Sequence, residues 1–214
     1  MPPSTSPRPY RSALRDEQAR ATQRRIVAAG HDLFVEQGYA PTTIDAIAAR
    51  AGVSRKTVFT SVGGKAAVLK LAWDWALAGD DEPVPMADRP DVKRMFEEPD
   101  PTRLIEQWTR QNGTIACRLA PLFDVLTVAA DGDAEAAALR ADAEANRSRA
   151  ARWFVTRLAE LGGLRKDLPV DRAAAIAELL MDPIPGRRLV LERGWTVEEY
   201  VSYVERMARA AFVP

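Results

Sequence analysis

Residues 42–65 constrain the fold of this chain more than any other stretch of its sequence. Within residues 44–51, apolar side chains recur at the spacing of one helix face; they are Ile44, Ile47, Ala48 and Ala51. Gly52 follows at the position where a left-handed residue ends a helix. Ser54 then precedes Arg55 as the capping residue of a second helix. We therefore predict two short helices joined by a tight turn, which is the arrangement of a helix-turn-helix.

Helical spacing also dominates the rest of the chain. No segment shows the two-residue alternation of apolar and polar side chains that is typical of a strand. The helices predicted outside the first stretch are residues 16–37, 65–78, 91–98, 102–118, 121–130, 134–161, 171–181, 183–194 and 197–212. The break before Pro121 follows from the proline, and Thr196 forms a capping box with Glu199 for the last helix. The sequence predicts an all-α fold.

Two changes in composition divide the chain. Residues 1–15 are rich in proline, serine and arginine, and we predict that they form a disordered arm. The arginines of this arm, which either remain solvated or enter a DNA minor groove, are Arg8, Arg11 and Arg15. Residues 79–101 contain five prolines and eight acidic residues, which predicts a loop with one short helix. The predicted domains are the arm, a helix-turn-helix domain at residues 16–64 and a larger helical domain at residues 65–214.

Charge is distributed unevenly along the chain although the formal net charge is zero. Residues 1–70 contain eleven Lys and Arg against five Asp and Glu, a net charge of +6. Residues 71–214 contain nineteen against twenty-five, a net charge of −6. A basic segment of this kind is typical of a surface that faces phosphate groups. We therefore expect double-stranded DNA as a partner of the N-terminal part of the chain.

The composition argues against several other classes of protein. The single cysteine, Cys117, allows no intramolecular disulfide, which fits a reducing cytoplasm, and we expect it to be a buried small hydrophobe. The lone His31 has no second histidine with which to hold a metal, so we expect neither a metal site nor a cofactor. The acidic pairs at residues 80–81 and 97–98 have no histidine partner, which argues against an enzyme. Without an apolar run of roughly 18 residues, or the apolar core of a secretory signal, we expect no membrane association.

Residues 22–71 carry several motifs at fixed mutual spacing. A first helix ends in LFVEQGY, the residues TTI precede IA, the turn reads AGVSRKTVF, and a lysine stands before the next helix. This segment resembles the DNA-binding part of the tetracycline-repressor (TetR) family of transcriptional regulators. The resemblance implies a three-helix helix-turn-helix domain followed by a larger helical domain for ligand binding and dimerisation. The chain departs from the family at Phe59, where tyrosine is usual, and at Ser61, where histidine is frequent.

The residues that we expect to contact DNA surround the start of the second short helix. Arg55 and Lys56 have the reach to bind base edges, and the bidentate guanidinium of Arg55 suits guanine. Thr42 and Lys65 are assigned to backbone phosphates, while Val58 is expected to pack inward. The complete predicted set is Thr42, Thr43, Ser54, Arg55, Lys56, Thr57, Phe59, Thr60 and Lys65.

A regulator of the resembled family is expected to be a cytoplasmic homodimer, in most cases a repressor, that a small apolar effector releases from a palindromic operator. The residues predicted to line the effector pocket, whose aromatic members can equally be plain core, are Trp73, Trp108, Asn112, Phe123, Trp153, Phe154 and Met181. Further polar candidates are Thr109, Arg118 and Asp124. The predicted dimer surface, which can alternatively pack within its own chain, comprises Ile184, Leu191, Tyr200, Val201, Val204, Met207, Ala208 and Ala211. A second interpretation is a helical protein-interaction module whose helix-turn-helix is vestigial and does not bind specific DNA.

Overall fold

The computed structural model describes residues 9–213, with their side chains from residue 15 onward. Every regular element in this part of the chain is helical and no strand occurs in it, which confirms the predicted all-α class. The α-helices are α1 (Pro9–Gln37), α2 (Ile44–Ala51), α3 (Arg55–Ser61), α4 (Lys65–Ala78), α5 (Pro90–Glu97), α6 (Pro101–Ala130), α7 (Ala134–Glu160), α8 (Val170–Leu180), α9 (Pro183–Gly186) and α10 (Val197–Phe212).

The chain divides into two compact units, of which one ends at Ala72 and the other begins at Trp73. We call them the N-terminal unit and the C-terminal unit. The division falls inside α4, eight residues beyond the predicted domain boundary at residue 64. The first part of α4 therefore belongs to the N-terminal unit and its last turns belong to the C-terminal unit.

In the N-terminal unit, α1 packs against α2 and α3. Its buried face includes Ile26 and Phe34, neither of which is accessible to solvent. At Gly30 the side chain of Val68 on α4 approaches so closely that an added Cβ would lie 2.3 Å from its Cγ1. A larger residue at position 30 would clash with Val68, so this close packing of α1 against α4 requires glycine.

Helix α1 begins at Pro9, seven residues before the predicted start at Asp16. Proline is compatible with the first turn of a helix, because an N–H at that position has no intrahelical acceptor. The predicted disordered arm is therefore wrong for residues 9–15, which are helical. Residues 1–8, with the minor-groove candidate Arg8, lie outside the described residues, as does the side chain of Arg11.

In the C-terminal unit, α6 is the central helix and packs against α7, α9 and α10. Its 30 residues continue through Pro121, so the predicted break before this proline is wrong. The proline removes one backbone hydrogen bond, but its neighbours Ala120 and Leu122 are buried in the core, which stabilises the helix against that cost. By length and composition α6 could also cross a membrane, yet half of its apolar stretch is buried within the fold, as in the core helix of a globular protein.

Stacked aromatic rings form the centre of the C-terminal core. The rings of Trp108 on α6 and Phe154 on α7 are parallel within 7°, with their centroids 4.0 Å apart. Phe212 on α10 meets Phe154 edge-on, at a centroid distance of 5.7 Å. All three side chains are inaccessible or nearly so, and they join α6, α7 and α10 into one core.

The ends of the later helices agree with the sequence prediction in part. The capping box of α10 is confirmed, since Thr196 Oγ1 accepts from the Glu199 N–H and the Glu199 carboxylate accepts from the Thr196 N–H. Helix α6 begins at Pro101, close to the predicted start at residue 102, and Asp100 caps it. The helix predicted over residues 183–194 consists of α9 and one π-helical turn, Arg187–Leu191.

Candidate nucleic-acid interface and effector cleft

The turn between α2 and α3 has the geometry that its sequence predicts. Thr43 caps α2, since its Oγ1 accepts from the Ala46 N–H at 3.1 Å. Gly52 ends α2 with φ at +65°, a left-handed conformation that favours glycine. Ser54 caps α3 by accepting from the Thr57 N–H at 3.1 Å. These three residues set the angle at which α3 leaves α2.

Helix α3 buries one side chain and exposes most of the others. Val58 is inaccessible to solvent, as expected from its inward position. Arg55, Lys56 and Thr60 are exposed, and Phe59 leaves 48% of its surface accessible, which is a large fraction for an aromatic side chain. An exposed helix face that combines cations, a hydroxyl and an aromatic ring has the chemistry to meet phosphates and bases.

Arg55 has two partners on the surface of the N-terminal unit. Its Nη1 lies 2.5 Å from Oδ2 of Asp45 in the first turn of α2. Its guanidinium carbon lies 5.5 Å from the centre of the Phe59 ring, which places the cation over the ring. The sequence analysis missed Asp45 as a partner, although an acidic residue in the first turn of α2 is visible in the sequence. Before Arg55 can contact a base, the ion pair with Asp45 has to open or rearrange.

The structure contradicts the predicted phosphate contact of Thr42. Its side chain is only 1% exposed. Its hydroxyl lies 2.7 Å from the carbonyl oxygen of Gly38 and 3.3 Å from that of Leu33, and it also accepts from Gln37 Nε2 at 3.1 Å. Thr42 therefore holds the turn between α1 and α2, and the exposed Thr43 beside it is the threonine that faces solvent.

Lys65 also has a role that the sequence did not indicate. Its Nζ donates to the carbonyl oxygens of Tyr39 and Ala40, at 3.0 and 3.4 Å, and lies 4.1 Å from the centre of the Tyr39 ring. These contacts tie the start of α4 to the turn between α1 and α2. In this arrangement the ammonium group of Lys65 is engaged within the unit, so its assignment to a phosphate requires a different rotamer.

The remaining hydroxyls of the predicted DNA surface are held locally. Thr57 Oγ1 lies 2.8 Å from Ser54 Oγ, and Thr60 Oγ1 donates to the backbone carbonyl oxygens of Lys56 and Thr57. Thr60 and Ser54 are exposed, whereas Thr57 is half-buried. From α1, the Gln23 amide donates to the Ser61 carbonyl oxygen at 3.4 Å, a link to the end of α3 that the sequence analysis missed.

Most of the predicted effector residues lie in the core of the C-terminal unit. Trp108 and Phe154 are the stacked rings described above, so their assignment to a pocket is wrong. Trp73 is 6% exposed, Trp153 packs against Phe96 at a centroid distance of 4.0 Å, and Met181 packs against the core. Asn112 donates to the Trp108 carbonyl oxygen at 2.9 Å, and Phe123 is half-buried.

A cleft of about 600 Å³ lies instead beside α5 and α6. None of the seven predicted effector residues lines it. Charged and polar residues make up most of its lining, and the apolar ones include Met86, Met95 and Ile115. Arg118, one of the further polar candidates, is among the lining residues. We call this cavity the α5–α6 cleft.

Comparison with known proteins identifies the helix-turn-helix. Residues 26–72 match the family described as bacterial regulatory proteins, tetR family. The HTH-type transcriptional regulator TtgW of Pseudomonas putida is 36% identical over 82 residues, which are 37% of this chain and 58% of TtgW. Residues 26–72 are therefore a helix-turn-helix segment of the tetR type. The part that aligns spans little more than half of TtgW, so the likeness in sequence does not extend over the whole relative.

Two solved structures share the fold of this chain along most of its length. The fatty acid degradation regulator FadR from Bacillus halodurans has a TM-score of 0.67 at 16% identity, over 87% of this chain and 94% of FadR. A transcriptional regulator from Saccharomonospora viridis, solved in complex with choline, has a TM-score of 0.67 at 16% identity, over 90% of this chain and 97% of its own. At such identities the likeness concerns the fold, an N-terminal helix-turn-helix domain followed by a larger helical domain.

Half of the predicted dimer surface is unavailable to a second copy. The four residues of α10 that are buried within their own chain are Tyr200, Val201, Val204 and Ala208. Tyr200 is inaccessible, and burial raises the pKa of its phenol well above the ordinary value. Ile184 and Ala211 are half-buried. The alternative that this face packs on its own chain is therefore correct for the buried four.

Large apolar side chains are nevertheless exposed on the C-terminal unit. Leu191 and Met207, both in the predicted dimer set, are 55% and 38% exposed. Leu179 on α8 and Val128 on α6, which the sequence analysis missed, are 70% and 62% exposed. These side chains are apolar groups that remain accessible to a partner.

Proposed function

We propose that this protein is a cytoplasmic transcriptional regulator that binds a near-palindromic DNA operator as a homodimer and releases it when a small effector binds. Repression is the direction that the family resemblance favours. The observation that carries the proposal is the exposed face of α3, where Arg55, Lys56, Phe59 and Thr60 project from a helix whose position Thr43, Gly52 and Ser54 fix. The basic charge of residues 1–70 supports phosphate as the partner of this face.

Arg55 and Lys56 are the proposed base-reading side chains. They occupy the first turn of α3, which is the part of a recognition helix that enters the major groove. A guanidinium binds O6 and N7 of guanine with two hydrogen bonds, so we assign guanine to Arg55. The exposed hydroxyls of Thr43, Ser54 and Thr60 are proposed to bind backbone phosphates, and the Phe59 ring to pack against the sugar-phosphate backbone.

A homodimer is proposed because one seven-residue helix provides too few contacts for a tight, specific site. The exposed side chains of Leu179, Leu191 and Met207 support an interface formed by the region of α8 to α10. The test is light scattering on Leu179→Asp and Leu191→Asp variants, with Val84→Asp, at an exposed valine of the loop before α5, as the control. We expect a dimer for the wild type and the control and a monomer for the two leucine variants. A dimer that persists in both leucine variants would place the interface elsewhere.

Ligand control is proposed from the cleft in the C-terminal unit and from the position of α4, which contributes residues to both units. A ligand that binds one conformation of the dimer better than another shifts the population toward it. The proposed outcome is a conformation in which the two α3 helices no longer match the spacing of the half-sites.

Selection of bound sequences from random DNA is the experiment that tests the proposal. We expect enrichment of a near-palindrome whose half-sites lie roughly one helical turn apart, about 34–36 Å. Affinity for the selected site should fall steeply as the salt concentration rises, because bound phosphates displace counterions. Failure to enrich any sequence would favour the alternative of a helical protein-interaction module with a vestigial helix-turn-helix.

The role of Arg55 is tested by comparing Arg55→Ala with Arg103→Ala, which removes an exposed arginine from α6. Loss of a bidentate guanine contact costs about 1–3 kcal/mol, so Arg55→Ala should weaken binding to the selected operator roughly fivefold to more than a hundredfold. Arg103→Ala should bind as the wild type does. Equal affinities for both variants at fixed salt would remove Arg55 from the base-reading role.

A further inference from the structure

Arg118 lines the α5–α6 cleft and is half-buried. Its Nη2 donates to the backbone carbonyl oxygen of Leu77, in the last turn of α4, at 3.1 Å. Its Nε is buried and has no hydrogen-bond partner. The guanidinium lies against Gly79, where an added Cβ would be 2.0 Å from Nη1. Since a guanidinium carries five N–H donors, this single hydrogen bond leaves most of its donor capacity unused.

Among the described residues, no carboxylate forms an ion pair with Arg118. Asp80, whose charge acts on Arg118, places its two oxygens 2.6 and 2.8 Å from the guanidinium nitrogens of Arg89. The hydrogen bonds from Arg89 hold the pKa of Asp80 down to about 2, so this carboxylate is ionised and engaged elsewhere. Burial lowers the pKa of Arg118 itself. The loss of solvation of this cation therefore outweighs the favourable interaction with the acidic groups around it.

We infer that the α5–α6 cleft binds a small monocarboxylate with an apolar body, and that the guanidinium of Arg118 receives the carboxylate. The planar fork of a guanidinium matches the two oxygens of a carboxylate. Met86, Met95 and Ile115 supply apolar surface for the body of the ligand. A volume of about 600 Å³ lies within the range of small-molecule sites.

The other charges of the lining favour one carboxylate over a polyanion. Arg94 and Arg110 are exposed and add positive charge, while Asp91 and Glu97, which are also exposed, oppose it. The carboxylate of Glu98 already accepts from Gln107 Nε2 at 2.8 Å and from the Asp100 N–H at 3.1 Å. The cleft therefore offers one half-buried cation without a carboxylate partner, among charges of both signs.

This inference rests on the proposed function only for its consequence. A carboxylate that binds Nη2 of Arg118 with one of its oxygens competes with the Leu77 carbonyl oxygen for that nitrogen and loosens the last turn of α4. The other end of α4 is fixed in the N-terminal unit by Lys65 on the Tyr39 carbonyl oxygen and by Val68 against Gly30. A change at the end of α4 is thus connected through one helix to the unit that carries α3.

Calorimetric titration of the full chain tests the site without DNA. The probes are octanoate and 4-butylbenzoate, with 1-octanol and octylammonium as the uncharged and cationic controls. We expect both carboxylates to bind the wild type and the two controls to bind at least tenfold more weakly. The reason is that a hydrogen bond to a charged group contributes enough binding free energy for about a tenfold change in affinity or more. Absence of carboxylate binding, or equal binding of 1-octanol, would overturn the inference.

Three variants distinguish binding by Arg118 from a structural role. Arg118→Met removes the cation, and Thr114→Glu leaves Arg118 in place but adds a carboxylate one turn away on the same face of α6. Both should weaken octanoate binding at least tenfold, while Arg103→Met, outside the cleft, should bind as the wild type does. Unchanged octanoate affinity in Thr114→Glu and Arg118→Met, with thermal unfolding as the check on folding, would contradict the assignment.

A gel shift with the selected operator completes the test. If octanoate binds through Arg118 and lowers operator affinity, the ligand site and its regulatory role are both supported. If it binds through Arg118 without any effect on the operator, the ligand site stands and the effector role in the proposed function fails. If the chain selects no operator at all, the proposed function fails, while the calorimetry still decides the ligand site.

Discussion

The buried hydroxyl of Thr42 allows a sharp test of how the helix-turn-helix is held together. Replacing it in Thr42→Val keeps the shape of the side chain but leaves the Gly38 carbonyl oxygen without its partner at 2.7 Å. The Thr42 side chain is 1% exposed, and the Gly38 carbonyl oxygen that it leaves is partly buried. An unsatisfied buried polar group costs about 1–3 kcal/mol, and we expect a loss of about 1–2 kcal/mol in the stability of the N-terminal unit.

Hydrogen exchange measured by mass spectrometry on the full chain reads this loss locally. Amides of the turn between α1 and α2 should exchange about five to thirty times faster in Thr42→Val than in the wild type. Thr42→Ser, which keeps the hydroxyl, is the matched control and should remain closer to the wild type. If Thr42→Val exchanges as the wild type does but binds the operator more weakly with a shallower salt dependence, Thr42 contacts a phosphate and the structural role is refuted.

Three other substitutions or reactions each probe a single contact or buried group. Asp45→Asn frees Arg55 and removes a negative charge beside the proposed phosphate-facing surface, so operator affinity should rise. The expected rise is only about two- to fivefold, because exposed ion pairs are weak. Glu36→Gln is the control, and a fall in operator affinity in Asp45→Asn would mean that Asp45 orients Arg55. Gly30→Ala should lower the free energy of unfolding by about 1–3 kcal/mol through overpacking against Val68. Adding the second substitution Val68→Ala should recover most of that loss. A urea unfolding curve of Gly30→Ala that matches the wild type would contradict the close approach of the two helices. Burial raises the pKa of Cys117 to about 11. Alkylation by iodoacetamide should therefore be slow at pH 8, and its rate should rise about tenfold per pH unit toward pH 10. Rapid labelling of the folded chain at pH 7.5 would instead show that the thiol is accessible and ionised.

The helix-turn-helix could be predicted from the sequence because its signals are local. Its main features depend on residues no more than four positions apart in the chain. These features are the cap of α3 at Ser54, the left-handed turn at Gly52 and the bounds of α2. Such contacts form between neighbours in the chain, so the spacing of the residue types identifies them. The same holds for the Thr196 capping box of α10.

The errors concern contacts that reach beyond one helical turn or depend on the surrounding core. Thr42 reaches back to Leu33, nine positions away, and Lys65 reaches Tyr39, 26 positions away. Pro121 stands inside a helix that the surrounding core stabilises. In each case the side chain has a reasonable local role, and tertiary packing selects a different one. Periodicity does not contain that information.

The apolar pattern of α10 does not say which surface covers its buried face, but a glycine elsewhere in the sequence does. An apolar face at helical spacing indicates that something covers it, and both a second copy of the chain and the chain's own α6 satisfy the pattern. A glycine inside α6 favours the second solution, because Gly113 lies where an added Cβ would be 3.0 Å from Cγ2 of Val201. Gly30 has the same relation to Val68 across α1 and α4. Since glycine in a helix interior costs about 0.5–1 kcal/mol relative to alanine, its presence there is best explained by the close approach of another helix. Applied to α6, this rule assigns the Val201 face to the chain itself and leaves the exposed Leu179, Leu191 and Met207 for a partner.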